Sequence, residues 1–306
     1  MNFAHIHIVL NHVPSLGCIA GLVMLASAIY TKHEELKKFS FLALVLIGMS
    51  ALPTYISGAE AQRIVRQLPA VSKAMIQLHQ NAAMLTIVAM TITGTFAWFG
   101  LWEFRRFSRA GSLTTKGTLL AAAVTVGLIL YTGSIGGKIS HPEIRNESDA
   151  AVSESVGWRE PVEVFVSDKA FMWPAGETLH FLGMILLFGI SLLLMLRMLG
   201  GMKSIPFTGI HRLLPLGILG FVINVLTGMM FFIANPGIYY GKTSFHIKIA
   251  LIVLATAPLL YFTLFDEPWE THSNENSRIT TKVAAICTFG LLFAVVIIGR
   301  LLPFLN

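Results

Sequence analysis

Apolar stretches of about twenty residues recur eight times along this chain, and that recurrence limits what it can fold into more than any other feature. A hydrocarbon core roughly 30 Å thick takes about 20 helical residues to cross, and only helices or closed barrels satisfy their backbone groups there. The stretches fall at residues 6–30, 39–58, 74–102, 117–138, 174–199, 208–234, 244–265 and 282–304. A membrane barrel would show segments of about ten residues alternating apolar and polar. Runs such as Leu182–Leu199 and Val283–Leu302 do not alternate. The expected fold is an all-α integral membrane protein of about eight transmembrane helices, arranged as two four-helix bundles.

Composition points the same way. Of 306 residues, 55% are hydrophobic and 12% charged, where a soluble domain carries roughly a quarter charged residues. The net charge of +6 sits in short loops between the runs, so membrane topology accounts for it and no nucleic-acid partner is called for. Cys18 and Cys287 lie inside apolar stretches, which argues against both a disulfide framework and a thiolate metal site. No basic region or small-residue cleavage site precedes or closes the first run, which therefore reads as a retained span.

The longest polar segment, 140–173, is acidic, with Glu143, Glu147, Asp149, Glu154, Glu160, Glu163 and Asp168. It divides the chain into membrane domains at 1–139 and 174–306. An even number of spans puts both termini on one face with the loops near 59–73, 139–173 and 235–243. The opposite face receives the basic clusters Lys32–Lys38, Arg105–Arg109 and Arg197–Lys203, and short basic loops mark the cytoplasm. The expected location is a bacterial inner membrane, with both termini and the acidic loop extracytoplasmic.

Ionisable residues inside spans are functional candidates because hydrocarbon penalises them. Here they are mostly histidines. Seven of ten fall at or near one face: His5, His7, His12, His79, His141, His180 and His246. An axially ligated b-type haem takes two imidazoles from different helices at one depth. Odd-numbered spans start on the same face, so His12 with His79, and His180 with His246, form the expected metal-ligating pairs. His7 and His12 are five residues apart and point roughly 140° away from each other, so one span could serve two sites, with His7 and His141 as a second pair. Glu177 precedes His180 by one turn and could fix its tautomer. Lys248, two residues after His246, is placed for a haem propionate. Copper held by His5, His7 and His12 is the competing metal reading, since imidazole suits copper as well.

Two stretches carry family likenesses. His7-Ile-Val-Leu-Asn-His12-Val-Pro14, His79 and Thr132-Gly-Ser-Ile-Gly-Gly-Lys-Ile-Ser-His141 resemble an uncharacterised family of bacterial four-helix membrane domains regarded as haem-binding anchors. The second half, with Glu177-Thr-Leu-His180-Phe-Leu-Gly183, Met198-Leu-Gly200 and Phe245-His-Ile-Lys248, is similar to another poorly described four-helix family, although Leu196-Arg197-Met198 stands where that family has Asp-Leu-Arg. The resemblance implies haem binding without naming a reaction. The expected function is a non-catalytic haem b subunit of a redox complex. It would carry electrons between an extracytoplasmic redox subunit or cytochrome and the quinone pool or another redox subunit. The alternatives are a cofactor-free structural anchor of a larger complex, or a transport or copper-handling protein.

Overall fold

The computed structural model describes residues 2–68, 71–145, 171–269 and 277–305. Among them there are no strands, and eight helical stretches are long and apolar enough to span a membrane. The first span is two helices, α1 (Phe3–Leu10) and α2 (His12–Thr31). The others are α3 (Glu34–Val65), α4 (Lys73–Phe107), α5 (Ser112–Ser140), α6 (Met172–Met198), α7 (Phe207–Ala234), α8 (Thr243–Leu264) and α9 (Ile279–Leu301). The chain is thus an all-α multi-pass membrane protein. Several helices outrun their apolar stretches because their polar ends carry helix signals. The N-cap of α3 is His33, whose Nδ1 accepts the Leu36 N–H at 3.1 Å, and Glu34 and Glu35 then sit at the positive end of the helix dipole.

The break between α1 and α2 has a covalent cause. Pro14 has no N–H to give to the Leu10 carbonyl one turn earlier, and its ring crowds that carbonyl. Asn11 itself keeps helical dihedrals, φ −64° and ψ −22°, so the helical path runs on through this one-residue break.

The chain divides into two compact units, Met1–Ala97 with Ser112–Lys169, and Trp98–Gly111 with Ala170–Asn306. Most of the acidic segment 140–173 lies outside the described residues. In the first unit small residues bring backbones together, as is usual between helices in lipid. A Cβ on Gly48 of α3 would lie 3.2 Å from the Met90 carbonyl oxygen and 3.4 Å from Gly94 Cα of α4. Hydroxyl pairs tie α4 to α5, with Thr86 Oγ1 2.8 Å from Thr132 Oγ1 and Thr93 Oγ1 2.9 Å from Thr125 Oγ1.

The second unit packs α6 on α7 so closely that a Cβ on Gly220 would lie 2.7 Å from the Gly183 carbonyl oxygen. At one end of this unit Leu194, Met198, Phe207, Ile210 and Phe262 form a buried cluster. The last turns of α4 belong here because their indoles bond into it. Trp98 Nε1 donates to Thr263 Oγ1 at 3.2 Å, and Trp102 Nε1 donates to the His211 carbonyl at 2.9 Å. That carbonyl is the one Pro215 leaves without its helical N–H. The His211 ring stacks on Trp102 at 5.9 Å and meets Trp269 edge-on at 4.8 Å.

Candidate functional site: a histidine pair in the first bundle

The four spans of the first unit meet at the end that holds the start of α1, the end of α3, the start of α4 and the end of α5. There two imidazoles face a common space. His7 on α1 reaches α3, its Nδ1 lying 3.1 Å from the Thr54 carbonyl oxygen and 3.2 Å from Ser57 Oγ. The Ser57 hydroxyl itself donates to the Thr54 carbonyl at 2.8 Å. His79 on α4 reaches α5, its Nδ1 lying 3.0 Å from the Thr132 carbonyl oxygen.

A carbonyl oxygen can only accept, so each Nδ1 carries the hydrogen and donates it. In the neutral ring that leaves Nε2 of both histidines as the nitrogen with a free lone pair. This is the tautomer that binds metals through Nε2, with the Nδ1–H bond orienting the ring.

The two ring centroids are 6.5 Å apart, with planes at 78°. A metal–imidazole bond is about 2 Å long, and the ring centre lies about 1 Å beyond its nitrogen, so two rings on opposite sides of one ion have centroids roughly 6 Å apart.

Space exists on both sides of the pair. One cavity of about 350 Å³ and another of about 340 Å³ are both lined by His7, Asn11, Tyr55, His79, Ala83 and Gly133. The first extends to Gln62, Gln80 and Ile139, the second to Pro14, Leu16, Ile87 and Met90. Three glycines shape this space. A Cβ on Gly58 would lie 2.8 Å from His7 Cε1, and one on Gly136 would lie 3.1 Å from His79 Cε1. Both imidazoles therefore rest against bare backbone. Gly133 meets nothing within 4 Å, leaving an open passage beside the pair.

The histidine that meets His79 is thus His7, where the sequence pointed to His12. The 140° offset along the helix sends His12 outward, where it is exposed and donates from Nδ1 to the Ile8 carbonyl at 2.7 Å. It lines the outer part of the second cavity. His141 does not join His7 either. It is exposed beyond α5, 2.8 Å from Glu143. The Glu143 carboxyl is held below its ordinary range by a hydrogen bond from its own amide, then by His141 and the charge of Arg145. The copper cluster does not form, because among the described residues no three His, Cys, Asp or Glu side chains gather as a metal site.

In the second unit His180 turns toward α7. Its Nδ1 lies 2.7 Å from Thr227 Oγ1, whose hydroxyl donates to the Ile223 carbonyl at 2.6 Å, so the imidazole is the donor. Its ring meets Phe231 at 5.6 Å, and it interacts electrostatically with Lys248. The role expected of Glu177 falls to Thr227. Glu177 is exposed and accepts from Trp173 Nε1 at 2.9 Å instead. His246 is half-buried against Phe245 at 6.1 Å. Lys248 lies against α9, where a Cβ on Gly299 would be 3.1 Å from its Nζ. Neither cavity beside His7 and His79 includes these residues.

Sequence reasoning did not find Thr54, Ser57 and Gly58, and it singled out the stretch from Thr132 without the role of the Thr132 carbonyl, although Thr132 and Gly136 are four residues apart and so share a helix face. Fold and site together define a polytopic α-helical membrane protein with a histidine pair lodged between its first four spans. No family model, no curated protein and no solved structure matches the chain.

Proposed function

We propose that this protein binds a b-type haem between His7 and His79. We read it as an electron-carrying membrane subunit, working between a redox partner at the face where the pair lies and the quinone pool or another redox subunit. The observation that carries this reading is the imidazole pair with centroids 6.5 Å apart, each ring oriented through Nδ1 by a backbone carbonyl and each bordered by the same two cavities. The donor set fits the group. Two neutral nitrogens suit haem iron, Gly133 leaves open space beside them, and among the described residues no group of three His, Cys, Asp or Glu gathers to favour a tetrahedral ion.

When bound, haem supplies a one-electron redox centre. The rest of the chemistry belongs to this chain. The Thr54 and Thr132 carbonyls fix the tautomers and make each Nε2 a better donor. Ile87 and Met90, both buried, give the second cavity apolar surface that would disfavour the more highly charged oxidised state of a bound haem.

An optical spectrum of the purified protein tests the reading. Reduced-minus-oxidised bands of six-coordinate b-type haem are expected, lost in His7→Ala and in His79→Ala and kept in His12→Ala. A flat visible spectrum from folded protein given haem would overturn the reading and favour a structural anchor.

A further inference from the structure

We infer that the site is polarised, with Arg66 and Arg145 reading two carboxylates on one edge of the ligand at the first cavity. The inference rests on the reading of His7 and His79 as a haem site, and it adds a selection for the acidic edge and a direction of seating.

Three observations converge. The cavities differ at their far ends. The second is lined there by Pro14, Leu16, Ile87 and Met90 with Ser15, Thr54 and Thr86, whose hydroxyls donate to backbone carbonyls, whereas the first ends in the amides of Gln62 and Gln80.

On the α3 and α4 side, Arg66 stands behind those amides. With the Gln62 amide turned to satisfy its neighbours, its oxygen accepts from the Arg66 guanidinium, through Nε at 2.9 Å, and its nitrogen donates to Gln80 Oε1 at 2.8 Å. Arg66 is half-buried, and the ion pairs among the described residues leave it out, while neighbouring Arg63 is taken by Glu60 at 3.1 Å.

On the α5 side, Arg145 folds back over the helix end that lines the same cavity. Its Nε donates to the Lys138 carbonyl at 2.7 Å and its Nη2 to the Ile139 carbonyl at 2.9 Å. Among the described residues its Nη1 has no acceptor. Glu143 is near enough to feel its charge but is hydrogen-bonded to His141.

A guanidinium behind the α3 lining and another over the α5 end of the cavity that closes in two amides is the complement of a flat ligand with two acids on one edge. Nε and Nη2 of each guanidinium are engaged within the protein, which fixes its position and leaves its charge and Nη1 for a carboxylate. A porphyrin carrying two propionates has that pattern. Its apolar edge would then fill the second cavity.

Ferric haem and its dimethyl ester, in which both acids are blocked, discriminate. The apoprotein in detergent is titrated with each and followed by absorbance. Wild type should bind the ester roughly ten- to hundredfold more weakly, the range for losing charge-assisted hydrogen bonds. Arg66→Gln and Arg145→Gln should each lower affinity for haem and leave affinity for the ester nearly unchanged, and the Lys substitutions should recover part of the difference. Equal affinity of wild type for both ligands, with six-coordinate spectra dependent on His7 and His79, overturns the carboxylate inference alone. Failure to bind either ligand overturns it together with the haem reading. The two wild-type titrations do not depend on any variant folding.

Discussion

Two backbone carbonyls decide which nitrogen of the histidine pair is free, and side-chain mutation cannot remove them. The glycines beside the rings are the accessible handle. Gly136→Ala brings a methyl to 3.1 Å from His79 Cε1, so the imidazole must shift by a few tenths of an ångström. Haem affinity should fall on the order of tenfold, as for other changes that misorient a ligating imidazole, with the fold retained by circular dichroism. Gly58→Ala should act on His7 in the same way. Gly133→Ala is the control, since its Cβ meets open space. Gly133→Leu should block binding by filling the passage. If Gly136→Ala binds haem as tightly as wild type, the ring has room that the structure denies it. His7 was legible from sequence as a polar residue inside a span, but its preference over His12 was not. That choice depends on which side of the first span packs against α3, which hydropathy does not record.

Helices were the most legible level. Eight apolar runs gave eight spans, because in hydrocarbon the length of a run and the need to satisfy the backbone leave little choice. Two things were hidden. Polar ends continue the helices, as in α3, which starts at Glu34 where the apolar run starts at 39. The end of α4 belongs with the second unit through two indole hydrogen bonds, which leave no periodic trace. One of those bonds gives a test. Trp102 fills the carbonyl that Pro215 strands, so Trp102→Phe should destabilise the protein by about 1–3 kcal/mol, the cost of an unsatisfied buried acceptor. In a Pro215→Ala background the restored N–H takes that carbonyl, and the same Trp102 substitution should cost less. Unfolding in detergent across this double-mutant cycle reads the coupling. Additive effects would mean that the indole bond does not compensate for the proline.

For the molecule as a whole, the expected orientation follows from the basic clusters and is checked by labelling. Gln67 is exposed at the end of the first unit that holds the histidine pair, and Lys203 is exposed beside the basic end of α6. Gln67→Cys should react with an impermeant maleimide in intact cells, and Lys203→Cys only after permeabilisation. The reverse pattern would invert the topology and place the histidine pair toward the cytoplasm. The two units were foreshadowed by the acidic segment between the fourth and fifth runs, but the division inside α4 was not, because it follows side-chain packing rather than composition.

The pair also has a history in time. His7 leaves the ribosome before any residue that orients it or faces it, for its hydrogen-bond partners are 47 and 50 positions downstream. The Thr132 carbonyl that orients His79 is 53 positions beyond that histidine. A site drawn from α1, α3, α4 and α5 is complete only when the fourth span has left the insertion machinery and closed against the first. Whatever binds between the two rings must therefore arrive after insertion, in an already threaded bundle, through a gap in the bilayer-embedded wall or from its water-facing end.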